Sequence, residues 1–453
     1  MNLSVGMINK IVDYIAFHAL TQPQKVALIC HGEKLTYMEL YDEIKSYALR
    51  FSQQGIVKGQ TYLFKFHADR SCVVTYFALH QIGAIAVPLE KSLPNEKIGE
   101  LESRISKHGP FIINDVADIL FTTGTTGVSK GVIISHDTIL ADAENLADAQ
   151  GFTSETVFLI CGPLNHIGSL SKMYPTFMMG GTVIIIDGIK NLDNFYEALD
   201  YPSYKLATFL VPSSIRMLLL FSKDRLVEYK DKIDFIETGA AAISHSDMLA
   251  LCKILPNTRI YNTYASTETG IISTYNFNDG NCVPGCLGRP MKNSGISITE
   301  KGNIACSGRT LMSGYVDMDL DKSVIKDNVL VTSDLGYLDE EGMLHLTGRE
   351  DDVINVGGLK VEPSEVEDVV MAFPGIKDCI CIAVPHPITD NTLKLLVVFE
   401  KGVVLDKKRM ARFIATKLES YKVPLLYEQV DSIKRTFNGK LDRKAFRTQK
   451  REL

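Results

Sequence analysis

The chain has 453 residues, of which 45% are hydrophobic and 23% charged, with a formal net charge of −6. Such a length exceeds the roughly 250–300 residues at which one core stops growing, so two or more domains are expected. The acidic balance argues against a broad nucleic-acid or anionic-membrane face and leaves small-molecule chemistry as the better expectation.

In chain order, the N-terminus lacks a basic-then-apolar leader, and no apolar run reaches about 18 residues, so neither secretion nor a membrane span is expected. Thr36-Tyr37-Met38-Glu39 forms a capping box, and Leu40, Ile44, Ala48 and Phe51 then fall on one helical face. Apolar runs at 61–66, 157–161, 182–186, 207–211 and 232–236 recur between helical stretches. That alternation predicts an α/β fold with largely parallel sheets and ligands at the carboxyl ends of the strands.

Between a strand predicted at 118–121 and a helix at 138–149 lies Phe121-Thr122-Thr123-Gly124-Thr125-Thr126-Gly127-Val128-Ser129-Lys130-Gly131. Glycines let the backbone approach an anion, threonine hydroxyls and amides donate to it, and a lysine adds a compact charge, so the turn reads as a polyphosphate cradle. Its spacing is not that of a Walker A loop, which needs a Gly-Lys-Ser/Thr triplet.

Further on, Tyr261-Asn262-Thr263-Tyr264-Ala265-Ser266-Thr267-Glu268-Thr269-Gly270 offers an aromatic face, hydroxyls and one carboxylate suited to adenine and magnesium. From about residue 294 close-set strands and tight turns predict a hairpin-rich region. Asp334 follows the apolar run 329–332, where a carboxylate accepts ribose hydroxyls. Beyond 352 a helix at 363–373 with Val366, Val369 and Val370 inward, strands at 379–384 and 393–399, and a helix at 407–418 compose a small α+β domain. Near the end, Asn438-Gly439-Lys440 places a lysine after a turn. Nine cysteines, scattered and odd in number, lack zinc spacing and a complete disulfide framework, so reduced, mostly buried thiols in a cytoplasmic enzyme are expected.

These motifs in this order, together with Gly83-Ala84-Ile85-Ala86-Val87-Pro88-Leu89 and Glu237-Thr238-Gly239-Ala240, resemble the adenylate-forming superfamily of acyl-CoA synthetases, nonribosomal-peptide adenylation domains and luciferases. The resemblance implies a large N-terminal domain (1–350) of αβ-layered sheets with a β-rich subdomain, and a small mobile C-terminal domain (351–453). It implies that Thr122, Thr123, Gly124, Thr125, Thr126, Gly127 and Lys130 hold the ATP phosphates, and that Gly239, Ala240 and Tyr264 frame adenine. Thr267 would touch the α-phosphate, Glu268 would bind magnesium, and Asp334 and Arg349 would grip the ribose. Lys440 would serve adenylation from the small domain, which swings about Asp351 to bring in Gly357 and Gly358 for a pantetheine thiol. That thiol belongs to coenzyme A or, alternatively, to the phosphopantetheine of a carrier protein.

The matching stretch Pro163-Leu164-Asn165-His166-Ile167-Gly168-Ser169 puts His166 where amino-acid-activating members carry an aspartate, so an α-amino acid is disfavoured and an aliphatic or aromatic acid expected. Departures from the pattern are Ser129 for a proline, Ser333 for a glycine, Ala265 for a glycine bordering the acyl pocket, and a short 88–121 segment. O-succinylbenzoate–CoA ligases are among the compact members of this superfamily. The departures also motivate a reading of another class, a catalytically silent acyl-nucleotide-binding protein. A luciferase-like oxygenase has no residue calling for it.

Overall fold

A computed structural model describes residues 8–108, 111, 115–122, 129–320, 324–350, 352–356, 359–387, 389–435 and 441–447. The capping box forms as expected. The Thr36 hydroxyl accepts from the Glu39 amide at 3.3 Å and the Glu39 carboxylate accepts from the Thr36 amide at 2.8 Å, starting the helix Tyr37–Gln53. Leu40, Ile44, Ala48 and Phe51 are all buried on its inner face.

An eight-stranded sheet runs in the order Gly270–Asn276, Arg259–Ser266, Ile233–Gly239, Leu206–Phe209, Val157–Ile160, Thr182–Ile185, Val26–Cys30, Glu33–Thr36. Its inner neighbours are parallel and each edge closes with an antiparallel pair. A five-stranded sheet follows the order Gly314–Tyr315, Lys130–Ser135, Val116–Thr122, Ile85–Leu89, Thr61–Lys65. One continuous core joins the two sheets, taking Ala86, Leu120 and Val132 from the smaller and Phe158, Val183 and Phe235 from the larger. Among the described residues of the short 88–121 segment is one helix, Asn95–His108, between the parallel neighbours Ile85–Leu89 and Val116–Thr122.

The hairpin-rich region is an antiparallel sheet containing Ser294–Ile298, Asn303–Gly308, Val329–Leu338 and Leu344–Arg349. One expectation changes here. The strand predicted to end at residue 332 continues to Leu338, so Asp334 stands within it, held by direct cross-strand pairing with Arg349. Residues from Ile354 to Tyr427 build a core of their own around the helix Pro363–Met371 and a three-stranded sheet. Val366 and Val370 are fully buried there, whereas Val369 is half-buried, because one helical stripe holds 366 and 370 and leaves 369 on its flank. All nine cysteines are free, and every one except Cys252 is buried.

Asp142, 1% exposed, accepts from the Ile271 amide at 2.8 Å and so ties the helix His136–Gln150 to the strand Gly270–Asn276. Burial pushes its carboxyl from the usual 3.8 up to about 7, against the opposing effects of that hydrogen bond and of Lys172. The folded chain keeps this proton to a higher pH than the unfolded one, so the contribution is present below roughly pH 4 and is lost as pH rises toward about 7. Asp142→Asn keeps an acceptor and removes the titration. Urea unfolding at several pH values across that window should show a shallower loss of stability in the variant than in the parent, and equal slopes would refute the assignment.

Candidate active site

Thr122 and Lys130 face each other across the antiparallel strands Val116–Thr122 and Lys130–Ser135, and so mark the two ends of the Thr/Gly turn. Thr123, Gly124, Thr125, Thr126 and Gly127 lie outside the described residues. Gly131 is required by close approach: a Cβ there would sit 2.8 Å from the Val316 side chain and 2.9 Å from the Phe121 ring.

Residues 312–316 join this turn to the second motif. The Ser313 amide donates to the Ile133 carbonyl and the Val316 amide to the Gly131 carbonyl, both at 2.8 Å, while the Met312 amide donates to the Glu268 carbonyl at 2.9 Å. Tyr315 then does two things. Its ring lies under the Lys130 ammonium, 5.4 Å from the centroid, and its hydroxyl donates to Glu268 Oε1 at 3.2 Å. A lysine from the Thr/Gly turn and a carboxylate from the edge of another sheet thereby converge on one ring. Sequence reasoning missed Tyr315, whose Gly-Tyr context reads as an ordinary apolar step in a loop.

Thr267 and Glu268 are half-buried in a turn braced from inside. The Ser266 amide donates to Thr269 Oγ1 and the Thr269 amide to Ser266 Oγ, each at 3.0 Å. Gly270 closes the turn at φ +67°, where a Cβ would run into the Thr310 carbonyl and lie 2.6 Å from the Asp142 carboxylate.

Asp334 is the hub of a third cluster. It accepts from the Tyr264 hydroxyl at 2.8 Å through Oδ2 and pairs with Arg349 Nε at 3.1 Å through Oδ1. Tyr264 is only 7% exposed, and its ring belongs to an apolar cluster with Ile272, Ile304 and Leu344. Most of the ring is therefore packed among apolar side chains, while its hydroxyl holds Asp334. Burial, then the Asp334 charge, raise the phenol well above its ordinary range, so it stays a donor. Gly239 ends the neighbouring parallel strand in register with Thr263, and Ala240 turns the chain away at φ +66°. Ala240 is exposed. Gly239, Ala240 and Tyr264 thus share the carboxyl edge of the parallel strands, the expected ligand position.

His166 caps the short helix Ile167–Leu170, its carbonyl accepting from the Ser169 and Leu170 amides at 3.1 and 2.9 Å. Lys440, Asp351, Gly357 and Gly358 lie outside the described residues. Around them the geometry is firm. Arg443 forks onto Glu367 with contacts of 2.6 and 2.8 Å, and Arg435 holds Asp378 at 2.8 Å. Asp378 also receives Arg216 at 3.1 Å, and Arg216 pairs with Asp247 at 2.8 Å.

Lysine, carboxylate and a ribose-type Asp–Arg pair suit a nucleotide. Among the described residues no group of three or more His, Cys, Asp or Glu could hold a metal by itself. Glu268 supplies one oxygen, which fits magnesium, an ion that takes one or two carboxylates and completes its shell with phosphates and water.

The AMP-binding enzyme family matches residues 16–110 and 102–316, and the AMP-binding enzyme C-terminal domain matches residues 365–440. The 2-succinylbenzoate–CoA ligases of Bacillus cereus (strain ATCC 14579) and Bacillus anthracis (strain A0248) are each 24% identical, over 97% of this chain and 99% of theirs. ATP-bound MatB from Rhodopseudomonas palustris shares the fold with a TM-score of 0.88 at 23% identity, covering 97% of this chain and 98% of that one. The o-succinylbenzoate CoA synthetase of Bacillus subtilis, in complex with its acyl-adenylate, does so with a TM-score of 0.84 at 22% identity, over 97% and 99%.

Gly270→Ala tests the rigidity of the Glu268 turn. A left-handed backbone with no space for Cβ predicts a loss of about 2 kcal/mol or more in chemical denaturation, and a variant as stable as the parent would show that the turn relaxes freely.

Proposed function

The chain belongs to the AMP-binding enzyme family, and we propose that it is an ATP-dependent carboxylic acid–thiol ligase acting through an acyl-adenylate, with coenzyme A as the acceptor. The observation that carries this reading is the meeting of Lys130 and Glu268 at Tyr315, in a chain that also pairs Asp334 with Arg349.

In this reading the turn from Thr122 to Lys130 binds the triphosphate, with Thr267 at the α-phosphate. Asp334, fixed by Tyr264 and Arg349, accepts ribose hydroxyls, and Gly239 and Ala240 border the base. Glu268, oriented by the Tyr315 hydroxyl, holds magnesium; the ion, when bound, neutralises charge on the phosphates. The acid enters near His166. One of its carboxylate oxygens attacks the α-phosphorus, the α–β anhydride bond breaks, and pyrophosphate departs. No general base is needed, because the carboxylate is already a nucleophile. Lys440 supplies positive charge where the transition state becomes negative.

In the second step the sulfur of a thiol bonds to the acyl carbon, AMP leaves with the bonding electrons, and the thiol proton passes to water. The small domain, 351–453, turns about Asp351 and presents Gly357 and Gly358 to the pantetheine arm. A cytoplasmic site agrees with nine free cysteines.

Purified protein given ATP, magnesium, a panel of acids and coenzyme A should release pyrophosphate in an acid-dependent way and form acyl-CoA, read by mass spectrometry. Lys440→Ala should slow pyrophosphate release by roughly 100-fold or more, the usual scale for deleting one transition-state donor. Thioester on a holo-carrier protein with none on coenzyme A would reassign the acceptor. ATP binding without release, for any acid, would make the protein a silent nucleotide binder.

A further inference from the structure

The parallel strands Leu206–Phe209 and Ile233–Gly239 set Phe209 directly beside Glu237. Side chains alternate along a strand, so Glu237 and Gly239 share a face. The Phe209 ring lies on that face, 3.8 Å from where a Gly239 side chain would begin. The same ring lies 3.1 Å from the Cβ position of Gly168, two residues after His166. Lys172, from the segment that follows, places its ammonium 5.2 Å from the ring centroid and 2.7 Å from Glu237 Oε1. Both members of this ion pair are only 1% exposed. Two buried charges therefore stand at the carboxyl edge of the parallel strands, where the acid would enter.

A buried pair is sustained when its remaining polar atoms are satisfied; otherwise an apolar pair of similar volume packs as well or better. Glu237 Oε2 is buried and has no hydrogen-bond partner among the described residues. A carboxylate oxygen only accepts, so what this corner lacks is a donor. A nearby buried carboxylate shows the contrast: Asp118 receives Tyr76 and pairs with His80, each at 2.8 Å, one partner per oxygen.

We propose that Lys172 and Glu237 are specificity-determining residues of the acid site, and that the acid carries a hydroxyl or amino substituent, remote from its reacting carboxylate, that donates to Glu237 Oε2. This rests on the chain being an acid-activating ligase. An unsubstituted alkyl or aryl acid leaves the oxygen unsatisfied. A second carboxylate gains little, because Glu237 already cancels the lysine charge. Phe209, 8% exposed and packed against both segments, must turn its ring for the substituent to arrive.

Acid-dependent pyrophosphate release is compared within matched sets: benzoate with its hydroxy, amino and carboxy derivatives, and hexanoate with 6-hydroxyhexanoate and adipate. The parent should favour a donor-bearing acid over its unsubstituted and dicarboxylic counterparts by at least about tenfold in kcat/KM. The double variant Lys172→Met/Glu237→Leu, which leaves no lone charge, should bring that ratio near one while the KM for ATP stays unchanged. A parent that prefers the unsubstituted or dicarboxylic acid overturns the proposal, as does a folded double variant that keeps the parent's ratio. If the double variant does not fold, the parent's own ratio decides. If no acid elicits release, the ligase reading itself fails. Thermal shifts with ATP and the same acids then decide this proposal separately, since donor-bearing acids must stabilise most if Glu237 reads them.

Discussion

The contact on which the site depends is a two-residue strand. Gly314–Tyr315 pairs with Val132 and Ile133, and the amide two residues before it, that of Met312, is spent on the Glu268 carbonyl. One short segment is thus hydrogen-bonded to the end of the Thr/Gly turn and to the turn carrying Glu268. The two large sheets share a core, but a core alone fixes distances only as well as side chains pack. Backbone hydrogen bonds at both ends fix them more narrowly. Glycines at 131 and 270 permit this closeness, since both lie where a side chain would strike a neighbour.

Polar groups buried in this protein fall into two kinds. Asp118, His80, Tyr76 and Tyr174 form a connected set in the main core, and both side-chain oxygens of Asp118 are engaged. Such a set specifies how the helix Arg70–Ile82 seats on the strand Val116–Thr122. Glu237 is the other kind, half satisfied and placed at the strand ends. Native folds leave few buried acceptors unpaired, and each that persists calls for an explanation such as a bound water, an ion or a functional role.

Much of the fold was legible because its determinants are local. Capping at Thr36, the apolar runs of the parallel sheet and the valines of the C-terminal helix each announce themselves within a few residues. The motif order likewise pointed to Glu268, Asp334 and Arg349 before any of them had a neighbour. What the chain hides is contact between distant residues. Lys172 reads as one more surface lysine until its partner, 65 positions away, buries it. Tyr315 acquires meaning only when Lys130 and Glu268 arrive from other strands. Tyr264 offers an aromatic face in the sequence, but how completely that face is covered is decided by residues from another sheet.

The Arg443–Glu367 fork has a mechanical meaning for the end of the small lobe. Arg443 is anchored in the small lobe's core, and an isolated antiparallel bridge sets Leu441 beside Arg435. The short helix Arg443–Arg447 is therefore joined to the strand Ile376–His386 by a charged pair sunk in the lobe's interior and not by a surface contact, so the two elements travel as one piece.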